Sequence, residues 1–381
     1  MGRTIADVAG AVRRVAPEHL AEEWDNVGLL LGDPGWEASG PVLLAIDLTP
    51  AVAREALAMG ASAVAAYHPP IFTAIKRLTA SDPRSSGLVG LMRAGIAVYS
   101  PHTALDAAPG GVADWLADVA AGDAAIVERA ALEPVRAHEG GGSHKIVVFV
   151  PAEDADGLRA AMSDAGAGVI GAYTRCSFGL EGVGTFLGDD STNPAVGERG
   201  RLETVRELRV EMVCPEAALP AALDAMRRAH PYEEPAFDVY RREASADARV
   251  GAGRAATLGS AVTADEVAAN LRAALGAPVR LATPTAIGVD AAREIRVIGS
   301  CPGAGASLAD AAIALGAGLF VTGEMRHHEV LAALEKGCAV ALAGHTNTER
   351  GYLPVLAEKL RGDLGDVRVS EADRWPFDEI G

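Results

Sequence analysis

An α/β rhythm that starts, stops and starts again constrains the fold of this chain more than any single residue does. Residues 41–47 read as an apolar strand and 50–59 as a helix; 61–66 and 96–99 read as further strands, with helical stretches at 86–94 and 111–121. Strand alternating with helix predicts a mostly parallel sheet covered by helices on both faces. The rhythm breaks at His138-Glu-Gly-Gly-Gly-Ser143, a flexible linker by composition. Behind it the order changes to strand 145–150, helix 154–165, strands near 174–178, 182–187 and 202–213, helix 217–230 and strand 236–240. That order predicts a ferredoxin-like α+β module of about 100 residues. Residues 241–259, rich in Ala, Gly, Ser and Arg, read as a second linker. A capped helix at Thr263-Ala-Asp-Glu266 reopens the alternation, with strands 295–299, 318–322 and 339–343 and helices 307–315, 327–336 and 351–360. The simplest fold is therefore α/β: one discontinuous domain built from residues 1–137 and 260–370, with a second domain, 144–240, inserted at its middle.

A chain of 381 residues exceeds one ordinary core, which agrees with more than one domain. Its 34 basic and 51 acidic side chains leave a net charge of −17. That field repels phosphate backbones, so nucleic acid is not an expected partner, and it suits divalent cations. The four cysteines, Cys176, Cys214, Cys301 and Cys338, form no CxxC pair, so neither a zinc ribbon nor a disulfide frame is indicated. Thr4-Ile-Ala-Asp7 opens a helix that Pro17 stops, with no hydrophobic signal core before it. No uncharged apolar run approaches ~18 residues, so no membrane partner is expected and the compartment expected is the cytoplasm.

The chemistry-bearing residues gather at expected strand ends, where open α/β sheets bind their ligands. His345-Thr-Asn-Thr-Glu349 follows one such strand, Tyr67-His68 a second, and His102-Thr-Ala-Leu-Asp106 a third. Taken singly, each has a plainer reading. Glu349 could favour a helix N-terminus, Asp106 could shape the turn before Pro109-Gly-Gly111, and His68, fixed by Pro69-Pro70, could be a buried, hydrogen-bonded histidine. Together they predict a shared metal site. Imidazole and carboxylate donors without thiolate suit zinc, iron or manganese. The expected inventory is two divalent ions, with His68 and Asp106 on one, His345 on the other and Glu349 bridging, and with Tyr67 beside the second position. Such a pair would activate water for hydrolysis. Glu324, His327 and His328 read as proton-transfer candidates or as structural residues; neighbouring helix positions point about 100° apart, so both histidines rarely reach one ion. Gly299-Ser-Cys-Pro-Gly303-Ala-Gly305-Ala-Ser307 lacks dinucleotide spacing and reads as a tight strand-to-helix turn. In Glu23-Trp24-Asp25-Asn26, the tryptophan is expected to pack and Asp25 and Asn26 to shape a turn.

Five separated motifs, read together, resemble a known family. They are Glu23-Trp-Asp-Asn-Val-Gly28, His68-Pro-Pro-Ile-Phe72, His102-Thr-Ala-Leu-Asp106, Thr322-Gly-Glu-Met-Arg-His-His328 and His345-Thr-Asn-Thr-Glu349. In order, and across nearly the whole chain, they look like the motifs of the GTP cyclohydrolase 1 type 2 homologue family, also called the NGG-one-interacting-factor-three-like family. The resemblance implies a dinuclear metal site held by His68, Asp106, His345 and Glu349, and a ring-shaped homohexamer. Many members carry two adjacent histidines where this chain has Tyr67-His68, so Tyr67 either ligates or leaves the second ion weaker. The insert resembles the family's optional middle domain, related to PII-like and CutA-like modules, through Gly171-Ala-Tyr-Thr-Arg-Cys-Ser-Phe178 and His230-Pro-Tyr-Glu-Glu-Pro235. The second of these tempts a further metal site, but its two prolines favour a rigid turn. The insert is expected to assist assembly or to gate the metal cavity. The family name implies opening of a guanine ring. The expected function is a metal-dependent hydrolase of a small polar substrate, a purine nucleotide among the candidates. The alternative is a non-catalytic metal-handling or regulatory protein.

Overall fold

The computed structural model describes residues 2–137, 142–291 and 294–377, so most of the glycine linker expected at 138–143 lies outside the described residues. The chain is a mixed α/β protein with several sheets, divided into two compact units. One unit comprises Met1–Val135 and Ala248–Gly381; the other is Arg136–Asp247.

The first unit holds two sheets. In one, the strands run in the order Gly28–Leu31, Ala97–Ser100, Ala63–Ala66, Val42–Ala45, Val367–Val369. Every residue of Val42–Ala45, Ala63–Ala66 and Ala97–Ser100 is buried. Such continuous apolar runs belong to parallel strands covered on both faces, and these pair in parallel. The helix Ile5–Val15, closed at its start by the Thr4–Asp7 capping box, packs with Leu353–Leu364 through Ile5, Val8, Val12, Leu356 and Leu360. Helices Pro50–Met59 and Pro83–Arg93 cover the other face through Val52, Ala56 and Leu91. In the second sheet the order is Arg280–Ala282, Ala339–Leu342, Leu319–Thr322, Ile295–Cys301, Arg254–Val262, Ile126–Ala130. Its three parallel strands, Ile295–Cys301, Leu319–Thr322 and Ala339–Leu342, are flanked by antiparallel neighbours.

The linker expected at 241–259 is not one. Strand Ser245–Ala252 pairs with Glu133–Ala137, and Arg254–Val262 sits inside the six-stranded sheet. The small residues that suggest a linker are what lets Arg254–Val262 lie buried between two strands. Arg254 at its head is 1% exposed and bonds to Asp114 and to the carbonyls of Ala107, Ala108, Gly251 and Gly253.

The second unit is a four-stranded antiparallel sheet in the order Phe237–Arg241, His144–Pro151, Leu202–Cys214, Phe178–Leu187. Helices Ala155–Asp164 and Leu219–Ala229 bury Leu158, Met162 and Met226 against Ile146, Val148, Val210 and Met212. The chain order is thus β-α-β-β-α-β. The two strands expected at 174–178 and 182–187 form one strand, Phe178–Leu187. His230 is a turn residue: its Nε2 lies 2.8 Å from the Phe149 carbonyl, and Tyr232 N–H donates to its Nδ1 at 3.1 Å. Both ring nitrogens are occupied, so this histidine has none to offer an ion. Among the described residues no helix is long and apolar enough to cross a membrane.

Candidate metal centre

Strand ends of both sheets in the first unit supply the cluster. Tyr67 and His68 continue the Ala63–Ala66 strand, with Tyr67 N–H donating to Ala45 O and His68 N–H to Ile46 O. Asp47 lies just beyond Val42–Ala45, His102 just beyond Ala97–Ser100, Glu324 beyond Leu319–Thr322, and His345 beyond Ala339–Leu342. Glu349 stands on the short helix Asn347–Arg350 and is 2% exposed.

His68, His345 and Glu349 point donor atoms into one space, all within 4.8 Å of one another. His68 Nε2 is 3.6 Å from Glu349 Oε2, and His345 Nε2 is 3.5 Å from Glu349 Oε1. Donors about 2.0–2.1 Å from a tetrahedral ion lie roughly 3.4 Å apart, so this spacing suits one shared cation. The far nitrogen of each imidazole is held by a carboxylate: His68 Nδ1 by Asp47 at 3.0 Å and His345 Nδ1 by Glu324 at 3.0 Å. Such partners fix the ring and turn Nε2 toward the ion position. Among the described residues, the buried Glu349 Oε2 has no hydrogen-bond partner. Gly303, at φ +65°, closes the floor; a Cβ there would meet Glu349 Oε1 at 2.8 Å and His345 Nε2 at 3.1 Å. The residues fit a divalent ion.

Tyr67 and Asp106 are bound to each other, the tyrosine hydroxyl donating to Asp106 Oδ1 at 2.6 Å. Burial, then the nearby carboxylates Asp106 and Glu349, pushes the Tyr67 phenol well above its ordinary range. Burial likewise raises the Asp106 carboxyl far above its usual value. The expected turn at 23–29 has a larger part than its sequence suggests. The Asp25 side chain is fully buried and bonds His102 Nδ1 at 2.7 Å and the Thr103 hydroxyl. It holds His102 at φ +29°, a strained value for a residue with a Cβ. His102 lies against the cluster, its ring 5.4 Å from that of His68. Trp24, expected to pack inside, is 60% exposed and meets the rings of Phe72 and His102 at 6.0 and 6.1 Å. The Gly299–Ser307 run is the end of strand Ile295–Cys301, a turn at 302–305 and the start of a 3-10 helix, with Gly303 O accepting from Gly323 and Glu324 N–H.

His327 and His328 begin the helix His327–Glu335 and are exposed; among the described residues neither bonds to the cluster. Glu324 is exposed and one of its oxygens lies 3.0 Å from His345 Nδ1. Asp47 escapes the sequence reading, and Asp25, read as a turn residue, and His102, read as part of a strand-end motif, are not read as partners of each other. Asp47 sits at the end of an expected strand, the one signal that could have marked it.

The chain matches the model of the Duf34/NIF3 (NGG1p interacting factor 3) family over residues 3–375. It belongs to that family. Duf34/NIF3 relatives named "GTP cyclohydrolase 1 type 2 homolog" include one from Mycobacterium tuberculosis, 35% identical over 99% of this chain and 98% of its own. Another, from Bacillus subtilis, is 33% identical over 95% of each chain. Among solved structures, a Staphylococcus aureus protein superposes with a TM-score of 0.78 at 26% identity, covering 100% of this chain and 99% of its own. A Bacillus cereus protein related to NIF3 gives 0.70 at 29% identity with full coverage of both.

Two results are expected at this centre. Asp47→Asn should keep the fold and weaken metal affinity about 10–100-fold, measured by competition with a chromogenic chelator, because His68 loses the carboxylate that aims it. The second concerns pH. Burial opposes charge on His68, but the hydrogen bond to Asp47 and the pull of the nearby Glu349 carboxylate outweigh it and raise its pKa from 6.5 to about 10 in the metal-free protein. An ion needs Nε2 bare. Between pH 7 and 10, binding must therefore expel a proton, and apparent affinity should climb about tenfold per pH unit. Titration in buffers of different ionisation enthalpy should count about one proton released from this group.

Proposed function

We propose that the protein is a metal-dependent hydrolase of a small polar ring substrate, with purine nucleotides the leading class. One observation carries this reading: His68, His345 and Glu349 converge on one space, each imidazole braced from behind by its own carboxylate. A divalent ion there, zinc, iron or manganese by donor type, would supply Lewis acidity and activate water. The chain's own residues would exclude solvent and position the substrate. The exposed rings of Trp24 and Phe72 beside His102 offer a face on which a flat heterocycle can stack. The relatives' name, GTP cyclohydrolase 1 type 2 homolog, points to the same substrate class. The residues implied by resemblance, Asp106 and Tyr67 included, would let Glu349 bridge a second ion; the first position is the one its donors already surround.

The test is metal-loaded protein against a broad panel of nucleotides and cyclic amides, read by mass spectrometry. A rival reading, a metal-handling protein without turnover, draws on the exposed placement of His327 and His328, which leaves the cluster without a nearby free base from that helix. Hydrolysis of nothing in the panel, together with transfer of the ion to an acceptor, would replace the first reading with the second.

The same proposal includes assembly as a homohexamer in which the inserted unit, akin to PII-like and CutA-like modules, takes part. Val183, Leu187 and Leu202 stand exposed on one face of its Phe178–Leu187 and Leu202–Cys214 strands, an apolar surface that asks for cover. Deletion of residues 136–247 is the appropriate test, since a cut reaching Gly259 would remove the buried strand Arg254–Val262. An unchanged number of chains per particle by light scattering would remove the insert from the assembly.

A further inference from the structure

We infer that Asp373 is a positioning residue of the metal centre: one buried carboxylate bonds beside both elements whose spacing sets the distance from Glu349 to His68. The inference rests on the metal reading above. The Asp373 side chain is 1% exposed. Its Oδ2 accepts from the Ile46 N–H at 2.6 Å and pairs with the Arg350 guanidinium, whose Nη1 also donates to the Asp373 carbonyl at 2.9 Å. Ile46 immediately precedes Asp47, the brace behind His68, and its carbonyl accepts from the His68 N–H at 2.9 Å. Arg350 immediately follows Glu349 on the short helix Asn347–Arg350. The same oxygen therefore holds the strand end that leads to Asp47 and the helix that carries Glu349. Among the described residues, Arg350 Nε and Nη2 have no hydrogen-bond partner, so Asp373 is what fixes this side chain.

Closing the chain end does not need this carboxylate. The Ser370 N–H donates to the Leu44 carbonyl at 2.8 Å, and Glu55 takes the Ser370 hydroxyl and the N–H groups of Glu371 and Ala372. Asp373 Oδ1 is buried and, among the described residues, without a hydrogen-bond partner, a cost that anchoring does not explain. Donors that share one cation tolerate little change in separation. A shift of the Asn347–Arg350 helix against the Val42–Ala45 strand end would part Glu349 Oε2 from His68 Nε2, which stand 3.6 Å apart. Asp373 ties the two elements against that shift.

The experiment compares full-length variants loaded with zinc or cobalt. Asp373→Asn keeps the side chain's volume and an oxygen for Ile46 but loses the charge that pairs with Arg350. It should keep its circular dichroism spectrum and bind zinc about tenfold more weakly in competition with a chromogenic chelator. It should also change the visible absorption of the cobalt-loaded protein, which reports coordination geometry. Arg350→Gln removes the other partner of the pair and should change that spectrum in the same way; it carries the prediction if Asp373→Asn does not fold. Glu55→Ala is the control: it loosens the same chain end and should lower the melting temperature while leaving zinc affinity and the cobalt spectrum as in the wild type. Wild-type affinity and spectrum in folded Asp373→Asn would overturn the inference and leave the metal reading intact. Equal loss of affinity in Asp373→Asn and Glu55→Ala would also overturn it, since Asp373 would then only anchor the chain end. A wild type that binds neither zinc nor cobalt would overturn both readings.

Discussion

Glu349→Ala protein should leave purification with no ion above background, against stoichiometric ion in the wild type, and should lose any turnover. Glu349 is the one donor that faces both imidazoles, and it is 2% exposed. Its loss leaves His68 and His345, and two neutral donors without a carboxylate hold a divalent cation poorly. Thermal stability gives a second readout. An ion that binds only the folded chain stabilises it by about 2.7 kcal/mol at a hundred times its dissociation constant. Adding zinc should therefore raise the melting temperature of the wild type by several degrees and leave that of Glu349→Ala unmoved. Glu349→Gln keeps the side chain's volume and should fail in the same way, which separates loss of the charge from loss of packing. Unchanged metal content in either variant would mean that the cation, if any, is held elsewhere.

The parts of this fold that were legible in the sequence are those in which local pattern and tertiary burial agree. The apolar runs at 42–45, 63–66 and 97–99 read as strands covered on both faces, as the structure has them, and their ends carry His68 and His102. Thr4 and Thr263, each followed three residues later by an acid, mark helix starts that the structure closes with reciprocal hydrogen bonds. Legibility fails where a segment's state is decided by distant partners. Arg254–Val262 looks like a linker because its Ala and Gly residues carry no period, and only its neighbours on either side make it a strand. The short edge strands Arg280–Ala282 and Val367–Val369 fail for the same reason. At the site, the donors that touch the ion position are recognisable by residue type and spacing. The carboxylates behind them are not. Asp25 lies 77 positions from the histidine it orients, and Asp47 lies 21 from His68. No local spacing rule connects such pairs.

Arg254→Met should be the most destabilising single change outside the metal centre. The guanidinium is 1% exposed, yet it is fully engaged: its Nε donates to Asp114 Oδ1 at 2.8 Å, one terminal nitrogen to the carbonyls of Gly251 and Gly253, the other to those of Ala107 and Ala108. Those carbonyls belong to the end of the His102–Ala107 helix and to the turn that leads into the Arg254–Val262 strand. One buried cation thus ties the segment carrying His102 and Asp106 to the six-stranded sheet. Methionine fills much of the volume but takes the closest cation from Asp114 and the guanidinium donors from four carbonyls. Breaking a buried pair by removing one partner costs about 3–5 kcal/mol. For a unit of this size that corresponds to a melting temperature lower by on the order of 10 °C. Arg129→Ala is the matched control, since Arg129 pairs with the same Asp114 but is a third exposed, and it should cost less than about 1 kcal/mol. Equal losses for the two variants would show that the buried arginine's network contributes no more than a surface ion pair. A larger loss for Arg254→Met, accompanied by weaker metal binding, would establish that the sheet-to-helix tie also holds the metal-site segment in place.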